Sequence, residues 1–324
     1  MNKIKIGIVG YGNLGRGVEI GLNNHPDMEL VGIFSRRDPK QLETNSPAYL
    51  LDDILDFKEK IDVLILCGGS KDDIPKQGPE LAKHFNTVDS YDTHALIPEF
   101  YKKMDQITSE NERVSVVATG WDPGLFSLNR LIQEAILPNG ESFTFWGSGA
   151  SQGHSDAARR VEGVKKAVQY TVPDEFMIDK ILAGKIVDYN AKDAHGREVY
   201  IVLEEDADPV QVEQEIKEMP DYFEGYQTNV SFVSEKEFDA EHQDMPHGGR
   251  VIRQGKTSDD YMSVVDFSLK LDSNPEFTAA VSIVYARAAY KLAKEKQYGA
   301  RTILDIPPYY LSMKSKEELM KELL

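Results

Sequence analysis

Three glycines close to the beginning of the chain have the spacing of a dinucleotide-binding loop. Gly10, Gly12 and Gly15 follow an apolar run at 4–9 and precede an amphipathic segment, which predicts a strand, a tight turn and a helix. In such a turn the first glycine permits the bend, the second lets a pyrophosphate approach the backbone, and the third lets helix and strand pack closely. Backbone N–H groups at the positive end of the helix then bind the phosphates. The pattern predicts a dinucleotide site, with a purely structural glycine turn as the alternative.

A hydroxyl and two guanidinium groups follow the second predicted strand, at 28–34. Ser35, Arg36 and Arg37 stand about 20 residues after the glycines, where an NAD-binding protein places an acidic residue on the ribose 2′-hydroxyl. A 2′-phosphate needs cationic, multidentate donors, whereas a carboxylate would repel it. The residue types therefore favour NADP over NAD, and the alternative is a solvated pair of surface arginines.

Two carboxylates, Asp92 and Asp122, follow later predicted strands, and each has an aromatic neighbour, Tyr91 or Trp121. Near a nicotinamide, two acids could hold a substrate ammonium group or handle protons. Asp92 could equally cap the following helix, and Asp122 could stabilise the turn at 123–124. Spacing alone leaves both interpretations open.

Polar side chains in the second half of the chain offer a possible anion site. A loop rich in small residues follows the strand that ends at Trp146 and provides backbone donors. A substrate carboxylate would match the guanidinium of Arg197, with neutral donors such as Thr171, His247 and Asn274. Each of these residues, taken singly, is more often structural than functional. The histidines of this half lack regular metal-ligand spacing and have no cysteine partner, so no metal site is predicted.

These residues need a scaffold that brings the ends of strands together. Apolar runs at 62–66, 87–89 and 114–118 alternate with helical segments, which predicts a doubly wound, Rossmann-like parallel α/β sheet. Since the carboxyl ends of parallel strands share one edge, the residues that follow them should line one crevice. These residues are Gly12, Arg36, Ser70, Asp92 and Asp122.

The pattern changes beyond about residue 124, where strand-like runs more often follow one another. This favours a second, mixed α+β domain. We expect a helix over 156–169, a long helix over 278–296 with an apolar face, and a final strand over 302–306. The predicted domains are 1–118 for dinucleotide binding, with 277–324 packing back on it, and 119–276 for substrate binding and dimerisation.

The composition narrows the possible partners. The 324 residues suffice for two domains, and the net charge of −17 argues against nucleic acid and anionic membranes as partners. The longest apolar runs are far shorter than the roughly 20 residues that span a bilayer. Cys67 is the single cysteine, so no internal disulfide can form and a cytoplasmic location is favoured. We expect Cys67 to pack as a small buried apolar residue rather than to act as a reactive thiol.

Long segments of the chain resemble the meso-diaminopimelate dehydrogenase family, and the match runs nearly from end to end. The cofactor-side segments that carry the resemblance are 10–16, 33–37 and 119–124. The substrate-side segments are 151–156, 168–171, 219–223 and 245–249. The resemblance implies NADP-dependent, reversible oxidative deamination of meso-2,6-diaminopimelate at its D-centre, giving L-2-amino-6-oxopimelate (tetrahydrodipicolinate in cyclic form) and ammonia. It also implies a homodimer.

The resemblance further implies roles for residues of this chain. Asp92 and Asp122 are implied as the catalytic residues, with the identity of the base left open. The residues implied to hold the D-centre are Asp92, Asp122, Trp146, Gln152 and Gly153, and those implied to hold the distal L-centre are Thr171, Arg197, His247 and Asn274. The residues implied to bind the cofactor are Gly10, Tyr11, Gly12, Asn13, Leu14, Ser35, Arg36, Arg37, Cys67, Gly68, Gly69, Ser70, Ser90, Tyr91, Asp92, Thr119, Gly120, Trp121, Asp122 and Pro123.

Two alternatives remain. A broad-specificity NADP-dependent D-amino acid dehydrogenase could use the same scaffold, and an NADP-binding sensor would bind the cofactor without turnover.

Overall fold

The computed structural model describes residues 3–324, which divide into two compact units. The first unit contains the chain up to Leu128 together with Pro275–Leu324, and the second contains Asn129–Asn274. None of the helices between residues 3 and 324 has both the length and the apolar character that crossing a bilayer requires.

The first unit is built on a seven-stranded sheet in which all pairings are parallel. Its strands are β1 (Ile4–Val9), β2 (Met28–Ser35), β3 (Ala48–Leu50), β4 (Val63–Leu66), β5 (Asn86–Asp89), β6 (Val114–Val116) and β14 (Gly299–Arg301). They lie in the order β14-β6-β5-β4-β1-β2-β3. The strand order reverses between β1 and β4, and in doubly wound sheets ligands bind at such a point. The predicted doubly wound sheet is thereby confirmed.

Four helices of the first unit cover the sheet. They are α1 (Asn13–Leu22), α2 (Ile74–Ala82), α3 (Ile97–Glu110) and α9 (Asn274–Lys294). Helix α10 (Lys316–Leu323) has no buried residue, and α4 (Leu125–Ile136) continues along the chain into the second unit. Strand residues such as Ile6, Ile8 and Ile65 are fully buried, as expected when helices cover both faces of a parallel sheet. The apolar face predicted for the long helix is also buried, with Tyr285 and Ala288 at its centre.

The C-terminal segment extends the sheet, because β14 pairs in parallel with β6. The strand predicted over 302–306 is wrong, since Ile303–Asp305 forms a 3₁₀ turn. The Thr302 hydroxyl accepts from the Leu304 N–H, and the Asp305 carboxylate accepts from the Thr302 N–H at 2.7 Å. This reciprocal cap closes a turn where an apolar pattern alone indicated a strand.

The second unit contains two further sheets, as expected for a mixed α+β domain. Its strands are β7 (Gly140–Trp146), β8 (Gly149–Ala150), β9 (Val164–Pro173), β10 (His195–Leu203), β11 (Thr228–Phe232), β12 (His247–Lys256) and β13 (Met262–Leu271). One sheet has the order β11-β10-β9-β8 and the other β13-β12-β7. The helices are α5 (Gln152–Arg159), α6 (Glu175–Leu182), α7 (Pro209–Lys217) and α8 (Glu235–Glu241).

The helix predicted over 156–169 is wrong beyond Arg159. Helix α5 ends at Arg159, Gly163 turns the chain at φ +85°, and β9 begins at Val164. β9 pairs with β10 along its whole length, and its β-branched and aromatic residues suit a strand. Gln169 therefore lies on a strand, two residues before Thr171 and on the same face of the sheet.

Arg287 of α9 connects three parts of the first unit and is only 2% exposed. Its Nε and Nη2 donate to the Asp27 carboxylate at 2.7 and 2.9 Å, and Nη2 also donates to Nδ1 of His25. Its Nη1 donates to the carbonyl of Leu311 at 2.6 Å. The guanidinium thus joins the beginning of β2, the long helix and the C-terminal segment.

Replacing Arg287 with methionine should lower the free energy of unfolding by about 3 kcal/mol, because Asp27 would lose the cation that compensates its partly buried charge. Chemical denaturation followed by circular dichroism measures the loss. The control is Lys83→Met, which breaks an exposed pair with Glu80 and should cost less than about 0.5 kcal/mol. Equal losses in the two variants would contradict this account of Arg287.

Candidate functional site

The glycine turn between β1 and α1 has the backbone geometry that a dinucleotide site needs. Gly10 has a φ of +90°, and a Cβ there would lie 3.0 Å from backbone atoms of Cys67 and Gly68. A Cβ on Gly15 would lie 2.3 Å from the carbonyl oxygen of Gly10. At Gly12, in contrast, a Cβ would meet no atom within 4 Å. The turn is therefore closely packed around an open position at Gly12, where a pyrophosphate is expected.

The beginning of α1 fits a phosphate group. Gly12 is the N-cap residue and provides no side-chain cap, and the first turn of the helix contains no acidic side chain. The N–H groups at this end carry the positive end of the helix dipole, so an anion is favoured there.

A cavity of about 280 Å³ opens beside this turn and includes the arginines predicted to select NADP. The Arg37 N–H donates to the Ser35 hydroxyl at 3.1 Å, and the Arg37 side chain donates to the carbonyl of Tyr11. The Arg36 side chain is 68% exposed. The predicted cofactor residues that line the cavity are Gly10, Tyr11, Gly12, Ser35, Arg36, Arg37, Cys67, Gly68 and Gly69. These donors fit the 2′-phosphate and pyrophosphate of NADP.

Asp73 also lines this cavity, although no sequence pattern predicted it. Its Oδ1 lies 2.9 Å from Nη2 of Arg36, and its Oδ2 accepts from the Gly69 N–H at 2.9 Å. Asp73 thus holds both the arginine and the glycine loop after β4. A bound 2′-phosphate would share Arg36 with this carboxylate, since the guanidinium has several donors.

Asp89, at the end of β5, joins the two loops that contain Asp92 and Asp122. Its Oδ1 accepts from the N–H groups of Tyr91 at 3.0 Å and Ala118 at 3.1 Å. Asp89 is fully buried, and this burial raises its pKa to about 6, although the two hydrogen bonds act in the opposite direction. One buried carboxylate therefore sets the spacing of two neighbouring strand ends.

The two carboxylates singled out in the sequence both belong to the first unit. Asp92 is exposed, and its N–H donates to the Ser70 hydroxyl at 2.9 Å. Neither the 3₁₀ turn His94–Leu96 nor α3 receives a side-chain cap, so the interpretation of Asp92 as a helix cap is wrong. Asp122 is partly buried in the turn after β6 and precedes a cis Pro123.

The aromatic neighbours of these carboxylates belong to the core. Tyr91 packs against Phe100 and Trp121 against Phe126, with ring centroids 4.6 and 5.3 Å apart. The side chains of Tyr91 and Trp121 therefore anchor the loops to the core, while the backbone of both residues remains at the edge of the sheet. The other predicted cofactor residues also follow strand ends of this sheet: Asn13, Leu14, Ser90, Thr119 and Gly120.

Arg197 is the central charged residue of the second unit and is only 7% exposed. Its Nη1 donates to the Thr171 hydroxyl at 3.1 Å, and its guanidinium lies 4.1 Å from the centroid of the Tyr226 ring. Within residues 3–324 no carboxylate forms an ion pair with it, and its Nε is buried without a hydrogen-bond partner. Burial lowers the pKa of Arg197, although a guanidinium remains protonated in proteins. This arrangement favours a ligand that brings its own negative charge.

Two glycines bring further predicted substrate residues close to Thr171. A Cβ on Gly147 would lie 2.1 Å from the carbonyl oxygen of Thr171, and a Cβ on Gly149 would lie 2.5 Å from Cα of His247. The segment after Trp146 therefore passes directly against both residues. The structure thus groups Trp146, Thr171 and His247 in one part of the second unit.

The loop before β12 contacts two other predicted substrate residues. Nε2 of Gln152 lies 3.5 Å from Sδ of Met245, and the Asn274 N–H donates to the Met245 carbonyl at 2.9 Å. At Gly153 a Cβ would meet no atom within 4 Å, so this first turn of α5 faces open space. The structure thus shows contacts within this unit for the predicted substrate residues other than Gly153, which are Trp146, Gln152, Thr171, Arg197, His247 and Asn274.

Two histidines support this group of residues. His195 accepts from the Trp146 N–H at its Nε2 and donates from Nδ1 to the Ala191 carbonyl, at 3.0 and 2.8 Å, which requires the neutral ring. His154 lies 2.8 Å from the Ser151 hydroxyl through Nδ1. Burial and, as a smaller cause, the positive charge of Arg197 together lower the pKa of His154 to about 4. Both rings are therefore neutral at pH 7, and they orient Trp146 and the beginning of α5.

Four residues of these sites were not predicted from the sequence: Asp73, Asp89, His195 and Tyr226. An acid at the end of an apolar strand, as at Asp89, is a usable signal for a residue that orders the next loop. The other three contact residues that are distant in sequence, and no local pattern predicts them. Asp73 contacts Arg36, His195 contacts Trp146, and Tyr226 contacts Arg197.

The strand order, the glycine turn and the cavity beside Arg36 define a Rossmann-type dinucleotide-binding protein with a second ligand-binding unit. Residues 120–273 match the model of the diaminopimelic acid dehydrogenase C-terminal domain. A meso-diaminopimelate D-dehydrogenase of Ureibacillus thermosphaericus is 52% identical over 326 residues, with 100% of each chain covered. The chain belongs to the meso-diaminopimelate D-dehydrogenase family.

Solved structures agree with this assignment. A meso-diaminopimelate dehydrogenase mutant from Clostridium tetani E88, crystallised with DAP, is 50% identical, with a TM-score of 0.94 and coverage of 99% of this chain and 100% of that chain. An engineered D-amino acid dehydrogenase bound to NADP+ is 43% identical, with a TM-score of 0.87 and 100% of each chain covered.

The low pKa of His154 predicts a pH dependence of stability. An unfolded histidine has a pKa of about 6.5. Between that pH and about 4 the unfolded chain binds a proton at His154 that the folded chain does not bind. The contribution of His154 to the free energy of unfolding is therefore fully present above about pH 6.5 and decreases as the pH falls. Denaturation at stepped pH values should give a shallower slope for His154→Gln than for the wild type. His94→Gln, which removes an exposed histidine, is the control; an unchanged slope in His154→Gln would contradict the prediction.

Proposed function

We propose that this protein catalyses the NADP-dependent, reversible oxidative deamination of meso-2,6-diaminopimelate at its D-centre, giving L-2-amino-6-oxopimelate (tetrahydrodipicolinate in cyclic form) and ammonia. The observation that carries the proposal is identity of about half the residues, over the whole chain, to a relative of that name. The reaction places the protein in diaminopimelate and lysine biosynthesis.

The first unit would bind the cofactor. NADP, when bound, supplies the nicotinamide that accepts the hydride. Ser35, Arg36 and Arg37 would hold the 2′-phosphate, because charged donors in a fork match its oxygens. The backbone around Gly12 and the first turn of α1 would hold the pyrophosphate. The cavity beside these residues and the NADP+ bound by the engineered relative support this assignment.

The second unit would recognise the distal L-centre of the substrate. Arg197 and Thr171 would bind its carboxylate, and His247 and Asn274 would complete the polar surroundings. Support comes from the six positions changed in the Clostridium tetani structure, which have the residue types and mutual spacing of six residues here. Those residues are Gln152, Thr171, Arg197, Pro246, His247 and Asn274.

Asp92 and Asp122 would serve the reacting D-centre, together with Trp146, Gln152 and Gly153. Carboxylates pair with the substrate ammonium group, and one of them would accept a proton as the amine is oxidised. After hydride loss, water attacks the imine, and Asp92 or Asp122 would orient that water. A polar site of this kind distinguishes the two ends of the substrate, because the wrong end leaves buried groups unpaired.

We also propose that the protein is a cytoplasmic homodimer. The single cysteine supports a reducing compartment. On the second unit, Phe176, Ile186 and Tyr261 expose 69%, 91% and 71% of their surface, respectively, and such apolar side chains suit a subunit contact.

The proposed reaction is tested by NADP reduction in the presence of different amino acids. The enzyme should reduce NADP rapidly with meso-diaminopimelate and at least about 100-fold more slowly with D-alanine, which cannot engage Arg197 through a second carboxylate. Comparable turnover of D-alanine would favour the broad-specificity D-amino acid dehydrogenase. Cofactor binding without any substrate-dependent reduction would favour an NADP-binding sensor.

The choice of cofactor is tested by charge reversal at Arg36. Arg36→Glu should raise the Kd for NADP by about 100-fold and that for NAD by less than about threefold, because only NADP carries the 2′-phosphate that the new carboxylate and Asp73 would repel. Calorimetric titration measures both constants. Lys40→Glu, the same charge change on an exposed neighbour, is the control. Equal weakening of NADP and NAD by Arg36→Glu would remove the argument for a 2′-phosphate site.

A further inference from the structure

We propose that Gln169 is a positioning residue for recognition of the distal carboxylate: it sets the direction of the Thr171 hydroxyl so that this hydroxyl donates to the bound ligand. The inference rests on the proposed function, because it assigns the Arg197 and Thr171 pair to that carboxylate. Gln169 itself is absent from the predicted site residues.

Gln169 lies beside both members of this pair. It is fully buried on β9, two residues before Thr171, and Thr171 is directly opposite Arg197 on β10. Nε2 of Gln169 donates to the Thr171 Oγ1 at 3.3 Å, and Nη1 of Arg197 donates to the same oxygen at 3.1 Å. The Thr171 hydroxyl thus has two donors as neighbours.

The number of available lone pairs then determines the direction of the hydroxyl proton. A hydroxyl group has one proton to donate and two lone pairs that accept. Neither the guanidinium nitrogen nor the amide nitrogen can accept a hydrogen bond. The donors from Gln169 and Arg197 therefore occupy both lone pairs, and the proton of Thr171 must point to a third group. In the described chain that proton has no protein acceptor, so a carboxylate oxygen of the ligand is its match.

One unpartnered atom beside this hydroxyl indicates the class of ligand. Nε of Arg197 is buried without a hydrogen-bond partner. Leaving a buried cation uncompensated is costly, so the site suits a ligand that brings a negative charge, such as a carboxylate. Oε1 of Gln169 is also unpartnered, and because Gln169 is fully buried it acts on the ligand through Thr171.

The backbone of Gln169 is held independently of its side chain. Its N–H donates to the Ser155 hydroxyl and its carbonyl accepts from the Ser151 N–H, both at 2.9 Å. Since these bonds fix β9 to the first turn of α5, a side-chain substitution should leave the strand in place. The effects of substitutions at Gln169 can therefore be assigned to the amide group.

The test compares substrates that differ only in the distal carboxylate. Gln169→Met keeps the volume and removes the amide, so it should raise KM for meso-diaminopimelate about 10-fold while kcat changes less than about twofold. D-lysine, which lacks that carboxylate, should show an unchanged kcat/KM. Gln169→Glu should raise KM at least about 100-fold, because a carboxylate would accept the Thr171 proton and pair with Arg197.

Two further variants separate positioning from general structural damage. In a Thr171→Val background, Gln169→Met should have no additional effect on KM, because its action passes through the hydroxyl. Gln133→Met removes another buried amide of the second unit, one that donates to the Val251 carbonyl, and should leave KM unchanged. Circular dichroism verifies that each variant is folded.

The proposal is overturned if Gln169→Met leaves KM for meso-diaminopimelate unchanged, raises it equally in the Thr171→Val background, or impairs D-lysine equally. Failure of the proposed function is a separate result, because in that case the wild type itself would not reduce NADP with meso-diaminopimelate. In that event the same variants are compared by calorimetric affinity for that compound, and equal affinities for wild type and Gln169→Met reject the role of Gln169.

Discussion

The close approach of backbones at the carboxyl edge of the parallel sheet is the constraint on which the first unit depends. Gly10 lies against the backbone of Cys67 and Gly68 with a φ of +90°, which disfavours a side chain there. Gly15 lies against the carbonyl of Gly10 at a distance that excludes a Cβ. This packing aligns the ends of β1 and β4 and leaves open space at Gly12. Cys67 is 8% exposed, and burial raises the pKa of its thiol, so it serves as the small apolar residue that the sequence indicated.

The second unit depends on a different constraint, a buried cation without a carboxylate partner. Removing a guanidinium from water is costly unless hydrogen bonds and charges compensate it. Thr171 and the face of Tyr226 stabilise Arg197 only in part, because its Nε remains unpaired. A ligand that brings a negative charge would supply the remaining compensation, and this agrees with the carboxylate recognition proposed for the site. Burial is the main cause of the low pKa of His154, and the charge of Arg197 also disfavours a second cation beside it.

Buried polar groups in both units hold loops through backbone N–H groups. Asp89 bonds Tyr91 and Ala118, and His195 bonds Trp146. In each case one side chain orders a segment that contains predicted functional residues, while the aromatic neighbours pack into the core. Buried side chains thus position the loops from the core side, and the exposed faces of the loops are available to ligands. This division explains why Asp92 is exposed although its neighbour Tyr91 is buried.

Much of the first unit could be predicted from sequence, because its signals are local. The glycine spacing, the apolar strands and the hydroxyl and guanidinium groups at 35–37 are contiguous patterns with a direct geometric meaning. In the second unit the local pattern gave a wrong prediction. Residues 164–169 have helical spacing, but they form a strand because they pair with β10. The resemblance of long segments identified the family, yet it did not reveal Asp73, Asp89 or Gln169.

The sequence by itself determined the class of cofactor site, the alternation that produces the sheet, and the family. The tertiary structure alone decided that Asp73 faces Arg36, that Asp89 joins two strand ends, and that Gln169 and Arg197 share one hydroxyl oxygen. The physical reason is that a hydrogen bond between side chains depends on strand register and on chain segments far apart in sequence. Such side chains come within hydrogen-bonding distance only when the whole fold has formed.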